Sequence, residues 1–346
     1  MKTQTENLVS SGFAQLKGAL FWTAFSISAL GALWCSGAFF HAFDASVAVA
    51  VVATFAAWAL LLASVFLRRA IWALAILEIS AIAAYSCITP QQRFRNTVWQ
   101  RSWSRTLAAR KLADGRYELE NVRDFRYRSE HDFDVVYRTV TVDPEQISSI
   151  DAVFSHWDDM ESIAHSMLGL NFADGTTVVI SLETRLPAGA EQNAIDGFYR
   201  RYALALLAGT PEDLYGLRTD HRGETLYVYR LDADHDFCRR TVREIFERAA
   251  EMQRQPEYYN SLARNCTTGL LPMLPDSDKL LGSDWRLTFN GLAAKMLFDK
   301  QLIVRRENES FGSLRARSLV PGLCRGKNAP VAHYAGESET RWLRAR

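Results

Sequence analysis

The N-terminal quarter of the chain carries three apolar runs with almost no polar interruption. Gly18–Phe43, containing FWTAFSISALGALWCSGAFFHAF, has no charged side chain, Ala45–Leu67 has none, and Ala70–Thr89 has Glu78 alone. Each run is close to the ~20 residues a helix needs to cross a hydrocarbon core, and consecutive runs of this length exceed ordinary globular helices. The pattern predicts three membrane spans. A signal peptide accounts less well for the first, because its apolar stretch is longer than the ~15 residues usual for such a region and no clear small-x-small site ends it. Lys2 and Lys17 precede the first span, Arg68–Arg69 separates the second from the third, and the link around His41 and Asp44 has neither Lys nor Arg. Basic residues stay on the cytoplasmic side, so the N-terminus is expected there and three spans deliver the remainder to the periplasm of a bacterial inner membrane. Glu78 is an ionisable group within a span, a costly position that needs a partner.

From residue 93 the pattern changes. Residues 93–119 set Arg93, Arg95, Arg101, Arg105, Arg110 and Lys111 among Trp99, Trp103 and Leu107, and read as a basic amphipathic juxtamembrane segment, lying on the membrane or packed on the domain. Beyond it FRYRSEHDFDVVYRTVTVD and Gln146–Trp157 read as strands, and AHSMLGLNFADGTTVVISLETR as a hairpin about Asp174–Gly175. With Ala173 opposite Thr176, antiparallel pairing sets His165 beside Glu183, Thr184 and Arg185. DGFYRRYALALLAG reads as a helix, LYGLRTDHRGETLYVYRL as two short strands around Arg222–Gly223, about Asp236–Gln253 as a strong amphipathic helix, and 285–299 as another. The expected organisation is an anchor over 1–92, the juxtamembrane segment over 93–119 and one α+β domain over 120–346.

Charge sharpens this division. Residues 1–92 hold seven charged side chains and the remaining 254 hold 72, with 36 basic against 36 acidic. That balance supplies no counterion-release contribution of the size a nucleic-acid binder needs, so nucleic acid is not an expected partner. Cys35 and Cys87 fall in or beside the spans, leaving Cys238, Cys266 and Cys324, an odd number for an oxidising compartment. Cys238 and Cys324 are one of three possible disulfide pairings. There is no CxxC and no zinc-ligand spacing among the seven histidines, so neither a metal nor a cofactor is expected.

Cys266 lies in NCTTG between Asn265 and Thr267, after Tyr258, Tyr259 and Asn260. The following TTGLLPML reads as a short helix whose N-terminus would lower the thiol pKa, although a lone cysteine also serves as a small buried apolar residue. A thiolate nucleophile needs a histidine base, and the base an orienting group. His156 and His165 are the nearby candidates, and His165 is favoured because the hairpin brings a carboxylate region opposite it. His156, beside Asp158 and Asp159, shapes a pocket or caps a turn.

The ordered blocks HSMLGLNFADGTTVVISLETR, LYGLRTDHRGETLYVYRL and YYNSLARNCTT, spread over about residues 120–275, resemble the DUF4105 family, also named the Lnb N-terminal periplasmic domain, whose first described functional members are bacterial lipoprotein N-acyltransferases. The resemblance implies a circularly permuted papain-like (NlpC/P60-like) domain with histidine before cysteine. It implies His165 as base, Cys266 as nucleophile, Glu183 and Arg185 on the strand facing the histidine, and Arg218, Arg222, Tyr259, Asn260, Asn265 and Thr267 as pocket or framework residues. The acyltransferase members place membrane helices after the periplasmic domain, whereas here three spans precede it. The implied activity is transfer of an acyl chain from a membrane lipid to a lipoprotein or other amine through a Cys266 thioester. A periplasmic cysteine peptidase or amidase acting on peptidoglycan or protein uses the same residues, and a non-catalytic envelope-binding domain would use neither.

Overall fold

A computed structural model of the chain describes residues 2–43, 46–68, 70–157, 160–261 and 264–322, with side chains from residue 15. Asp158, Asp159 and Cys324 lie outside the described residues, and with them one of the three possible pairings, Cys238–Cys324; Cys238 is buried. The chain divides into two compact units, one of residues 1–95 with 193–201 and the other of residues 96–192 with 202–346.

The first unit consists of α1 (Lys2–His41), α2 (Val47–Phe66) and α3 (Ala70–Cys87) with the loop 193–201. Gln15–His41, Val47–Phe66 and Ala70–Cys87 are long and apolar enough to cross a membrane. Ser46 starts α2 by accepting the Val49 N–H on its hydroxyl. Ala32 and Ala57 are fully buried where the helices meet Leu61 and Leu74, the small-residue packing that lets spans approach without a hydrophobic driving force. Leu20, Trp22, Ile27, Phe55 and Ile76 point outward, as a lipid-facing surface requires. Glu78 is buried against Gly31, where a Cβ would lie 2.6 Å from its carboxyl carbon. The short helix Ala194–Phe198 packs on the same bundle: Asp196 Oδ1 is 2.6 Å from His41 Nδ1, and the Tyr199 hydroxyl donates to the Trp34 carbonyl at 3.1 Å. Gly37 permits that approach, since a Cβ there would meet the Tyr199 hydroxyl at 2.0 Å.

The second unit is α+β. Its strands are β1 (Ala108–Lys111), β2 (Tyr117–Arg123), β3 (Arg126–Tyr127), β4 (Phe133–Asp134), β5 (Tyr137–Val142), β6 (Ile147–His156), β7 (His165–Phe172), β8 (Thr177–Arg185), β9 (Ala203–Gly209) and β10 (Thr225–Arg230). Eight form one sheet in the order β1-β2-β9-β8-β7-β6-β10 with β5 on β2, while β3 and β4 make a separate ribbon. All pairs in the large sheet are antiparallel except β2 with β9. The helix His235–Arg254, capped by Asp234 accepting from Phe237 N, buries Val242, Ile245, Phe246 and Ala249 against Leu168, Leu170, Ile180, Leu182 and Leu206 of one face. Leu214 and Tyr215 cover Val153, Met167, Val179 and Leu226 on the other.

This double covering accounts for two departures from the sequence pattern. ALALLAG is the central strand β9, every residue of it buried, rather than helix; an apolar run buried on both faces loses the alternation that marks a strand. LYGLRTD is helical instead of strand, with a turn Pro211–Gly216 opened by the Thr210 cap and continued by a π-turn Leu217–His221. The hairpin turn has three residues rather than two: Phe172 N donates to the Thr176 carbonyl, and Gly175 takes the left-handed conformation at φ 92°. Within 93–119 no long amphipathic helix forms, and β1 and β2 join the sheet through Leu107, Tyr117 and Leu119 in its core. Residues 285–299 break into two short 3-10 turns and the helix Ala293–Asp299 because Asn290–Gly291 interrupts them.

One buried ion pair fastens the helical turn to the sheet. Arg123 and Asp213 are 1% and 0% exposed, joined at 2.7 and 3.3 Å, and Asp213 also accepts from Phe125 N at 2.8 Å. Removing one partner strands the other charge away from water. Asp213→Ala is expected to destabilise the domain by about 3–5 kcal/mol, read as a lower thermal midpoint of the full chain in detergent; an unchanged midpoint would refute the role given to this pair.

Candidate active site

The site lies at one end of the central strands. His165 is the first residue of β7 and pairs across the sheet with Ser155 of β6. The register of the β7–β8 hairpin runs from Asn171 opposite Thr177 to Met167 opposite Ser181, so its continuation brings Glu183 level with His165. His165 Nε2 is 3.0 Å from Glu183 Oε1 and 2.7 Å from Ser181 Oγ. Ser181 donates its own hydroxyl hydrogen to Glu183 Oε1 at 2.7 Å and so accepts from the ring. Behind the carboxylate, Arg218 Nη2 donates to Glu183 Oε1 at 2.8 Å, and its Nε lies 3.9 Å from Glu224 Oε2.

Cys266 and His165 face each other closely enough for each to shift the other's ionisation. With Nε2 directed at Glu183 and Ser181, Nδ1 is the ring nitrogen left for the thiol. Cys266 also accepts from the Ser166 backbone N–H, and its Sγ lies 3.9 Å from the Ala164 carbonyl oxygen. Residues 266–270 form a turn instead of the expected helix, with a 3-10 helix only at Leu271–Met273. The turn is organised by Asn265, whose Oδ1 accepts from the backbone of Thr267 at 2.9 Å and Thr268 at 3.0 Å. Gly269 lets it lie flat on β8, since a Cβ there would meet Leu182 at 2.8 Å.

These contacts determine the charges. Burial alone would push the His165 pKa down, but the Glu183 carboxylate overrides it and raises the ring to about 9. Burial would raise Glu183, yet the charges of His165 and Arg218 and the donated hydrogen bonds hold it far below the usual carboxylate range. Burial would likewise raise the Cys266 thiol; His165 and the Ser166 N–H lower it. The arrangement favours a thiolate beside an imidazolium, with Glu183 and Arg218 continuing the alternation of charge.

The other expected residues divide into those at this centre and those away from it. Thr267 is buried with its hydroxyl 2.6 Å from Ser166 Oγ. Tyr259 lies near Cys266 and hydrogen-bonds Thr184, with burial pushing its hydroxyl up to about 12. Asn260 shapes the preceding loop by bridging Arg264 through the backbone. Arg222 reaches Glu130 at 2.8 Å and Glu224 at 3.7 Å, outside the thiol's surroundings. Arg185 donates to the carbonyls of Trp103 and Ser104 and stacks on Trp99, not on His165. His156 stands on the sheet face opposite to Ser155 and His165, edge-on to Tyr227 at 5.8 Å, and burial lowers its pKa. Ser166, Ser181 and Asn290 were not marked by the sequence pattern, in which two serines on strands and an Asn-Gly turn carry no chemical signature. Among the described residues no cluster of three or more metal-binding side chains occurs.

The couple makes stability depend on pH in a defined direction. The raised His165 pKa contributes stability that is complete below its ordinary 6.5 and lost as pH rises through about 9. The depressed Glu183 pKa contributes stability present above its ordinary 4.5 and lost as pH falls further into acid. The thermal midpoint is therefore expected to fall between pH 6.5 and 9 in the parent chain and to lose most of that slope in Glu183→Gln. In the same variant, alkylation of Cys266 by iodoacetamide at pH 6 is expected to slow at least ~10-fold, because the imidazolium is no longer held. Equal rates would exclude the carboxylate from this role.

A family model described as the Lnb N-terminal periplasmic domain matches residues 134–291, a stretch that contains His165, Glu183, Cys266 and Asn290. No curated protein and no solved structure gives a significant match. The three spans and the matched domain agree with a multi-pass inner-membrane protein whose globular part faces the periplasm. The chain thus carries an Lnb N-terminal periplasmic domain behind a three-helix membrane anchor.

Proposed function

We propose that the protein is a membrane-anchored periplasmic thiol acyltransferase, with Cys266 as nucleophile, His165 as acid and base, and Glu183 as the group that holds the ring. The observation that carries this reading is the partly buried Cys266–His165–Glu183 cluster, in which His165 Nε2 lies 3.0 Å from Glu183 Oε1 and the thiol and imidazole shift each other's ionisation. The family and the membrane anchor support a lipid-modifying role in general. The surroundings of the nucleophile favour a lipidic substrate too: Ile163 and Phe289, the residues before Ala164 and Asn290, are 39% and 48% exposed, and Trp285 stacks edge-on to Phe289 at 62% exposure. Exposed aromatic and aliphatic groups beside a reactive centre suit an acyl chain or a bilayer surface. A tethered domain also meets membrane lipid at high effective concentration.

In the proposed cycle the Cys266 thiolate attacks an ester carbonyl of a membrane lipid. The electron pair moves onto the carbonyl oxygen, where the Ser166 N–H is one available donor. Collapse breaks the ester C–O bond, His165 protonates the departing alcohol, and an acyl thioester remains on Cys266. An amine of a lipoprotein or another acceptor then attacks the thioester, giving its proton to His165 and releasing the thiol as an amide forms. Water in place of the amine yields a free fatty acid. For the fold we propose a circularly permuted papain-like arrangement; the supports are histidine preceding cysteine in the chain, the histidine opening a central strand, and the cysteine on a turn packed across that strand's end. Thr267, Asn265, Asn260 and Tyr259 serve as framework around the nucleophile, and Arg218 and Arg222 as framework behind Glu183.

The test is intact-mass analysis of the full chain in phospholipid vesicles. The expected result is a mass increase of one acyl chain that neutral hydroxylamine removes, absent in Cys266→Ala and formed about 10²–10⁴-fold more slowly in His165→Ala. Cleavage of a peptide or peptidoglycan fragment without an acyl adduct would establish the peptidase or amidase reading instead. A cellular phenotype unchanged in Cys266→Ala would establish a non-catalytic envelope domain.

A further inference from the structure

We propose that Asn290 is a further functional residue of this site, donating a side-chain amide hydrogen to Cys266 Sγ and locking the nucleophile's turn to the strand that presents His165. The assignment rests on the reading of Cys266 as nucleophile. Asn290 is 6% exposed and all of its side-chain polar atoms are engaged at one point. Its Nδ2 lies 3.4 Å from Cys266 Sγ and 3.0 Å from Thr267 Oγ1, so each amide hydrogen has an acceptor. Its Oδ1 accepts from the backbone N–H of Ala164 at 2.9 Å, the residue directly before His165. Thr267 in turn meets Ser166, directly after His165, at 2.6 Å. Asn290 therefore reaches one side of His165 directly and the other through Thr267, with the sulfur on the same amide nitrogen.

The next residue places it there. A Cβ at position 291 would come within 2.2 Å of the Glu161 carbonyl oxygen and 2.6 Å of the Ile163 nitrogen, and Gly291 N donates to the Ser162 carbonyl at 3.1 Å. Only glycine allows the backbone to pass so close to the segment leading into β7, and that passage inserts Asn290 behind the thiol.

A neutral N–H aimed at sulfur favours the thiolate over the thiol. The charged and titratable groups that face Cys266 come from other elements: His165 from β7, Glu183 from β8, Arg218 from the π-turn and Tyr259 from the preceding loop. Asn290 carries no charge at any working pH, so replacing it with alanine changes the donors around sulfur without changing that charge set.

The experiment follows alkylation of Cys266 by iodoacetamide as a function of pH in the full-length protein in detergent, quantified on the Cys266 peptide because Cys87 is also exposed. Asn290→Ala is expected to move the midpoint upward by about one pH unit and to slow alkylation at pH 6 about 10-fold. Asn290→Leu keeps the side-chain size and adds no charge but cannot donate to sulfur. It is expected to move the midpoint at least as far, and it decides the matter if the alanine variant does not fold. A lowered thermal midpoint with an unchanged alkylation midpoint in the folded variant would show that Asn290 only packs, overturning the proposal. Titration needs no substrate, so absence of an acyl adduct in the parent chain would refute acyl transfer without touching this result, and an unshifted midpoint with adduct formation intact would refute the Asn290 role alone.

Discussion

A carboxylate held in the interior between an arginine and a histidine is the constraint on which the site depends. Glu183 is 12% exposed, and a buried charge of this kind is tolerated only when its oxygens are satisfied. Arg218, Ser181 and His165 converge on one of them, Oε1. His165 and Arg218 hold the Glu183 pKa down, the carboxylate raises that of the imidazole despite burial, and the imidazole lowers that of the thiol beside it. Each charge is affordable because of its neighbour.

The fold fixes the spacing of these groups with rigid elements. His165, Ser181 and Glu183 stand on adjacent antiparallel strands whose register is set by the apolar residues packed on both faces. Arg218 reaches Glu183 from a π-turn, which follows directly on the helical turn that the Arg123–Asp213 pair fastens to the sheet. Cys266 is the exception, carried on a turn rather than an element, and it is correspondingly heavily braced: Asn265 organises its backbone, Gly269 seats it on β8, and Thr267 and Asn290 tie it to the residues either side of His165. Together these braces place the Cys266 thiol at the strand ends while the hydrophobic core remains elsewhere.

Much of this was legible from the residues. The three apolar runs stand out because length and absence of charge are enough to mark a span, and the hairpin because Asp174–Gly175 interrupts two strand-like arms, with the result that His165 and Glu183 are neighbours in both readings. The errors have physical causes. β9 was hidden because a strand covered on both faces has no polar alternation, and 211–221 because a turn capped by Thr210 follows a strand without a helix-length apolar stripe. Arg185 shares a face of β8 with Glu183 but stands two residues further on, beyond the first residue of β7, where the carbonyls of Trp103 and Ser104 hold it instead of the histidine. Asn290, 24 residues beyond the cysteine, was invisible because its importance comes from where Gly291 lets the chain pass, a property of packing that no local pattern encodes.

The central claim is that Cys266 and His165 rest as a thiolate–imidazolium pair maintained by Glu183. Its most direct test is the thiolate absorbance near 240 nm, recorded against pH as the difference between the parent chain and Cys266→Ala. The account predicts that this difference absorbance persists well below the free-thiol pKa of ~8.5 and disappears only in acid. A difference titration centred near that free-thiol value would contradict it.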